Sequence, residues 1–174
     1  AALNLVQVVI SITSLRQDLA SIMEPRASGP MKRIETIRML SSHGIPVGVF
    51  VAPLIPGLNE EEAAKILKAA YHAGATWANY IILRLPGQVK TLFSDWLENR
   101  YPSRKKKVLH ALMSVREGKL SDSQFGSRMV GSGKHAELIS RNFELARKRL
   151  GFQKPPELST HHFKRPTEQF ELFS

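Results

Sequence analysis

Residues 44–62 read GIPVGVFVAPLIPGLNEEE, and the fold follows from this stretch. Val47 to Ala52 is a short, unbroken apolar run rich in β-branched residues. Such a run predicts a strand covered on both faces, as in a parallel sheet. Pro53 to Asn59 is a Pro/Gly loop. Asn59 has the chemistry of a helix N-cap, and Glu60, Glu61 and Glu62 fall where the positive end of a helix favours acids. The helix is expected to run to about His72, with Gly74 as its cap. Gly44 and Pro46 end the element before the strand. The unit is strand, loop, helix, glycine.

The same order lies on both sides. Upstream, Leu5 to Leu15 is dense in Val and Ile and predicts a strand near Val6–Ser14. Asp18 to Met23 reads as a short helical turn, Pro25 and Pro30 punctuate a loop, and Met31 to His43 is an amphipathic helix with Ile34, Ile37 and Leu40 on one face. Downstream, a third strand is expected over Ala78–Leu85, ended by Pro86 and Gly87. Consecutive units of this kind make an α/β fold whose strands are parallel and adjacent in chain order. After Gly87 the period becomes helical. Val89 to Asn99 offers Leu92, Phe93, Trp96 and Leu97 to a core. Ser103 to Glu117 carries Arg104, Lys105, Lys106 and Lys107 in its first turns. Gly118 to Gly133 reads as a loop, and Lys134 to Leu150 as a long amphipathic helix. Trp77, Tyr80, Phe93 and Trp96 are at core spacing and read as packing. Three parts result: 1–87 as βα units, 88–153 as a helical extension, and 154–174 as a flexible tail rich in Pro, His and Lys.

Composition narrows the function classes. A chain of 174 residues with 43% hydrophobic content suits one domain with a sizeable core. No apolar run approaches the length of a membrane span. Ala1 to Ile12 lacks a basic leader and a cleavage site, so it reads as strand rather than signal peptide. There is no Cys, which excludes disulfides, zinc–thiolate sites and any Cys-ligated cluster within this chain. The cytoplasm is the simplest compartment. The net charge is +10 and the pI is near 10.2. Nine of the 25 Lys/Arg and six of the 15 Asp/Glu fall in the first 90 residues, so the rest holds +7 of the excess. Nucleic acid is therefore a candidate partner, beside the plain alternative of a solvated basic surface.

Three βα units cannot close an eight-stranded barrel, and a three-stranded parallel sheet leaves both edges open. The chain is thus expected to be part of a longer protein, with its natural C-terminus at Phe170 to Ser174. The edge of the Leu5–Leu15 strand is expected to recruit a missing N-terminal half.

Several segments then become recognisable in order. Ser11-Ile-Thr-Ser-Leu15 followed by Met23-Glu-Pro-Arg-Ala27, Gly44 through Asn59, and Tyr80-Ile-Ile-Leu-Arg-Leu-Pro86 resemble strands four, five and six of the radical S-adenosylmethionine (radical SAM) barrel, with their loops. Leu120 to Met129 and Gly131-Ser-Gly133 are similar to the closing part of the branch called DNA repair photolyase or spore photoproduct lyase-like. The resemblance covers roughly Leu5 to Gly151. It implies the C-terminal half of a partial (βα)6 barrel followed by a helical extension. The parent enzyme would cleave SAM at a [4Fe–4S] cluster to a 5′-deoxyadenosyl radical, with DNA lesions as the substrate of the branch. The cluster ligands of the family are three Cys in an earlier loop. This chain has none and is expected to be inactive alone.

The site expected from the resemblance lies at the C-terminal ends of the strands. Ser11 and Thr13 share one strand face and would meet the ribose or methionine end of SAM. Arg26 would pair with the SAM carboxylate, with Glu24 beside it. Ile55, Pro56 and Gly57 would contact adenine. Arg84, Arg128 and Lys134 are candidate substrate or anion contacts, the last two flanking a Gly-rich stretch. Adjacent His161 and His162 read as tail rather than metal site. Gln169, Phe170, Leu172 and Phe173 resemble the peptide by which bacterial proteins dock on the DNA sliding clamp. Two other classes remain in view: a metal-independent βα-barrel enzyme, which would need a Lys or carboxylate at a strand end, and a non-catalytic nucleic-acid-binding module.

Overall fold

The computed structural model describes residues 1–121 and 126–164. Three strands, β1 (Val8–Ile12), β2 (Val47–Leu54) and β3 (Trp77–Ile82), form one parallel sheet in the order β1-β2-β3. Chain order is thus sheet order, as the repeated βα pattern requires. The strands are shorter than expected at β1 and β3. Thr13 and Ser14 leave the ladder for side-chain bonds, and beyond Ile82 the Leu83 N–H still donates to the Leu54 carbonyl while Arg116 takes the Ile82 and Leu83 carbonyls.

The helices are α1 (Gln17–Met23), α2 (Pro30–Ser42), α3 (Ala63–His72), α4 (Val89–Arg100), α5 (Pro102–Ser114), α6 (Ser127–Val130) and α7 (Gly133–Leu150). α6 lies within the stretch expected to be loop. α3 is preceded by a 3-10 turn over Glu60–Glu62. Asn59 stands at the start of that turn, but its side chain makes no capping bond there. It is used elsewhere, as described below. Gly74, just past α3, has a φ of +104°, which glycine adopts without strain.

Strand alternation divides the sheet into two unlike faces. Val47, Val49 and Val51 of β2, Ile12 of β1 and Tyr80 and Ile82 of β3 are buried on the face covered by α2, α3 and α7. The opposite face carries Val9, Ser11, Phe50 and Asn79 and is more open: Val9 is 40% exposed, Ser11 and Asn79 are exposed, and Phe50 is half-buried, while Glu144 and Arg147 of α7 reach its β3 side. Trp77 is the exception on that face. It pairs in register with Gly48, where a Cβ would overlap the indole ring. Glycine here makes room for an aromatic side chain.

One apolar cluster joins the sheet to the helical extension. Ile12, Val51 and Ile82 belong to it together with Leu97, Val108, Leu112 and Phe143. The core therefore runs across position 87 without a break. Phe93 stacks on Trp96, which lies against Tyr101. Arg116, 3% exposed, ends the C-terminal side of β3 by donating to the carbonyls of Ile82 and Leu83 and to that of Arg128. The segment after Lys154, expected to be loose, is tied down as far as Ser159. Gln153 N–H donates to the Thr76 carbonyl, Ser159 N–H donates to the Asn4 carbonyl, and the Asn4 amide donates to the Glu157 carbonyl at 2.6 Å. The clamp-like residues Gln169 to Phe173 lie outside the described residues. Among the described residues, no helix is long and apolar enough to cross a membrane.

Candidate functional site

The C-terminal ends of β1 and β2 are joined by polar side chains rather than by ladder bonds. Asn59, 1% exposed, lies between them. Its Oδ1 accepts from the Ile55 N–H at 2.6 Å, and its Nδ2 donates to the Thr13 carbonyl at 2.7 Å and the Pro53 carbonyl at 3.0 Å. A buried amide with donors and acceptors all used is a fixed spacer. Glu62 makes a second bridge. Its carboxylate accepts from the Ser14 hydroxyl and the Leu15 N–H, and pairs with Arg16 at 3.5 Å. The acid expected to serve the start of α3 instead closes the loop after β1.

Beside these bridges lies a cavity of about 180 Å³ between β1, α1 and α2, lined among others by Thr13, Gln17, Ser21, Glu24, Ser28 and Arg33. Thr13 is 1% exposed. Its hydroxyl has one proton, and two acceptors stand within reach: the Glu24 carboxylate at 2.8 Å and the Ala52 carbonyl at 3.1 Å. The charged acceptor is closer and stronger, so it takes the proton. The other Glu24 oxygen pairs with Arg33 at 3.1 Å. Arg33 also donates to the carbonyls of Ser28 at 2.9 Å and Ser11 at 2.7 Å. The Ser11 carbonyl belongs to the edge of β1 that has no strand partner among the described residues, so Arg33 also blocks part of that edge.

The structure therefore gathers some expected residues and separates others. Thr13 and Glu24 meet in the cavity. Ser11 lies on the open sheet face; its carbonyl accepts from Arg33 at 2.7 Å, and its hydroxyl lies 3.5 Å from the same guanidinium. Arg26 is exposed and does not line the cavity. Arg33, from α2, is the guanidinium that does. Its only sequence signal was spacing from Gly29 and Pro30: one turn into a helix, it can reach back to the strand end. Ile55 and Pro56 are buried, and Gly57 backs onto Val108 and Ala111 of α5. That loop joins the strand-end region through Asn59 but does not line the cavity. Arg84 is half-buried near the end of β3, Arg128 lies on α6, and Lys134 is exposed in the first turn of α7. These three do not converge on the cavity. His135, beside Lys134, joins α7 to Ser114 at 2.9 Å and to Glu60 at 3.2 Å.

Among the described residues there is no group of three or more His, Cys, Asp or Glu able to hold a metal ion. Tyr80 lies on the helix-covered face and does not line the cavity. Burial raises its phenol pKa, the Ser140 hydrogen bond opposes that, and the nearby Glu144 charge adds to it.

Comparison with known proteins bears on this corner of the molecule. A protein of Acidianus two-tailed virus, Uncharacterized protein ORF301, is 43% identical over 56 residues, 32% of this chain and 19% of that protein. The matched stretch is thus about a fifth of that relative's length. No solved structure matches the chain. Residues 1–70, which build β1, β2 and the cavity between α1 and α2, match the family model described as Radical SAM superfamily, and the match supports placing this segment in that superfamily.

Proposed function

We propose that this chain contributes the C-terminal strands and part of the SAM-binding mouth of a radical SAM enzyme in a longer protein. What supports this is one coincidence: the segment matching the superfamily model is the segment that builds the polar corner at the C-terminal ends of β1 and β2. Ligands of parallel βα folds bind at that end. The more open sheet face with Ser11, Phe50 and Asn79 would then be the inner face of a partial (βα)6 barrel, completed by strands outside this chain. In the photolyase or spore photoproduct lyase-like branch, the substrate of the whole enzyme would be a DNA lesion.

The residues present fit part of SAM. Pockets that enclose a drug-sized ligand measure roughly 300–1,000 Å³, so a cavity of about 180 Å³ admits one end of it. Glu24 and Arg33 offer an acid and a guanidinium to the ammonium and carboxylate of a methionine end. Each would have to give up the other, so binding exchanges one ion pair for two. Thr13 orients Glu24, and Asn59 holds the neighbouring loop. SAM would supply hydrogen-atom abstraction once it is reductively cleaved at a cluster held outside this chain. The chain has no Cys, so its residues do not fit a [4Fe–4S] cluster, and its own part is to bind and orient.

Amide-resolved NMR during titration with millimolar SAM tests the assignment. Shifts are expected at Thr13, Glu24 and Arg33, weakened severalfold by Glu24→Gln and reproduced by methionine better than by adenosine. No perturbation near these residues would sink the proposal.

A further inference from the structure

The charge on the α4–α5 hairpin opposes the helix that carries it. α5 opens Pro102-Ser-Arg-Lys-Lys-Lys107, with no acid in its first turn and no Asp or Glu anywhere in PSRKKKVLHALMS. The start of a helix bears partial positive charge, so four successive cations there repel the backbone and each other. Lys105 is relieved by Glu98 at 2.9 Å. Arg100, Arg104, Lys106 and Lys107 are exposed and have no ion-pair partner among the described residues. An arrangement that disfavours its own helix is explained by an anion that is absent when the protein is alone.

The helix faces identify the anion. Val108 and Leu112 of α5 are fully buried, and the exposed stripe holds Ser103, Lys106, Lys107, His110 and Ser114. A helix that lies in a lipid surface needs its apolar face outward; α5 has turned its own into the core. The half-buried Tyr101 stands between Arg100 and Arg104, and Trp96 lies 5.5 Å from it. Both rings pack against the core, so what the row of cations offers is charge, which suits a phosphate backbone. We infer that Arg100, Arg104, Lys106 and Lys107 form a ridge that binds the phosphate backbone of nucleic acid without reading sequence. This rests on the charge of α5 and is independent of the cavity at β1.

The test is fluorescence anisotropy of the full chain with labelled single-stranded and duplex DNA of unrelated sequences. Four phosphate contacts predict a slope of log K against log salt of about −3 to −4, or roughly a hundredfold loss between about 50 and about 200 mM salt. Arg104→Gln with Lys106→Gln and Lys107→Gln should remove most of that slope while the melting temperature stays level or rises, because repulsion is relieved. Arg104→Lys with Lys106→Arg and Lys107→Arg should keep binding, and Arg141→Gln with Lys148→Gln on α7 should change it less than about twofold. Unchanged binding in the triple Gln variant overturns the inference. So does a fall in melting temperature that accompanies the loss, which would mean a structural role. Stronger binding to phosphatidylserine vesicles than to DNA at equal charge overturns it in favour of a membrane; α4 exposes Leu92 at 66%, which makes that arm necessary.

Discussion

Replacing Asn59 with Ala tests the joint between the strand ends most directly. The substitution removes an acceptor from the Ile55 N–H and a donor from the Thr13 and Pro53 carbonyls. The Ile55 and Thr13 bonds are buried; the Pro53 bond is partly open. An orphaned buried group costs about 1–3 kcal/mol, while a partly open carbonyl finds water and loses less. The expected loss is therefore about 3 kcal/mol, between about 2 and about 5. With a urea m-value of about 2 kcal/mol/M, the midpoint should fall by about 1.5 M. Hydrogen exchange supplies a local readout, because the Ile55 amide loses its bond to Asn59 and should exchange much faster than amides within β2. Asn59→Asp keeps the acceptor but sets a carboxylate against two carbonyl oxygens. Its folded-state pKa should lie above the unfolded value of about 3.9, so its stability relative to the parent is best below that pH and is lost as pH rises. A loss under about 1 kcal/mol in Asn59→Ala, with the Ile55 amide still protected, would refute the spacer role.

Three further outcomes follow from particular contacts. Gly48→Ala should cost about 1–3 kcal/mol by urea unfolding, because its Cβ overlaps Trp77; combining it with Trp77→Ala should give less than the sum of the two losses, and strict additivity would argue against the clash. Arg33→Ala should destabilise by about 2 kcal/mol through loss of its bonds to Glu24, Ser11 and Ser28, while Arg26→Ala should stay within about 0.5 kcal/mol; equal effects would remove the distinction between them. Tyr80 has a raised pKa from an ordinary 10.0, so folding keeps it protonated where the unfolded chain ionises. Its contribution is intact below pH 10 and is lost as pH rises from there toward the folded-state pKa. Tyr80→Phe should therefore lose less stability than the parent across that window in melts at rising pH, and identical alkaline losses would count against it.

Strand and helix placement was legible along the chain because it depends on local pattern. The apolar run of Val47 to Ala52, the loop at Pro53 to Gly57 and the glycine after His72 each act within a few residues, and the parallel order follows from their repetition. Thr13 and Glu24 were also within reach, being close in sequence on either side of one short helix. The partners of long side chains were not legible. Asn59 and Glu62 looked like the opening of α3, and by local chemistry alone that is where they belong. Folding brought the end of β1 alongside, with Thr13 and Ser14 offering groups that would be buried without partners, and satisfying these outweighs a helix cap. Arg26 was nearest the strand end in sequence, yet Arg33 is nearest in space, because α2 runs back along β1 and carries its first turn to Glu24. The aromatic and apolar residues of α4 and α5 announced a core; that this core is continuous with the sheet, and so leaves Arg104, Lys106 and Lys107 of α5 outward, was decided only by how the elements pack. Periodicity records which side of an element is apolar, and only the assembled chain determines what that side meets.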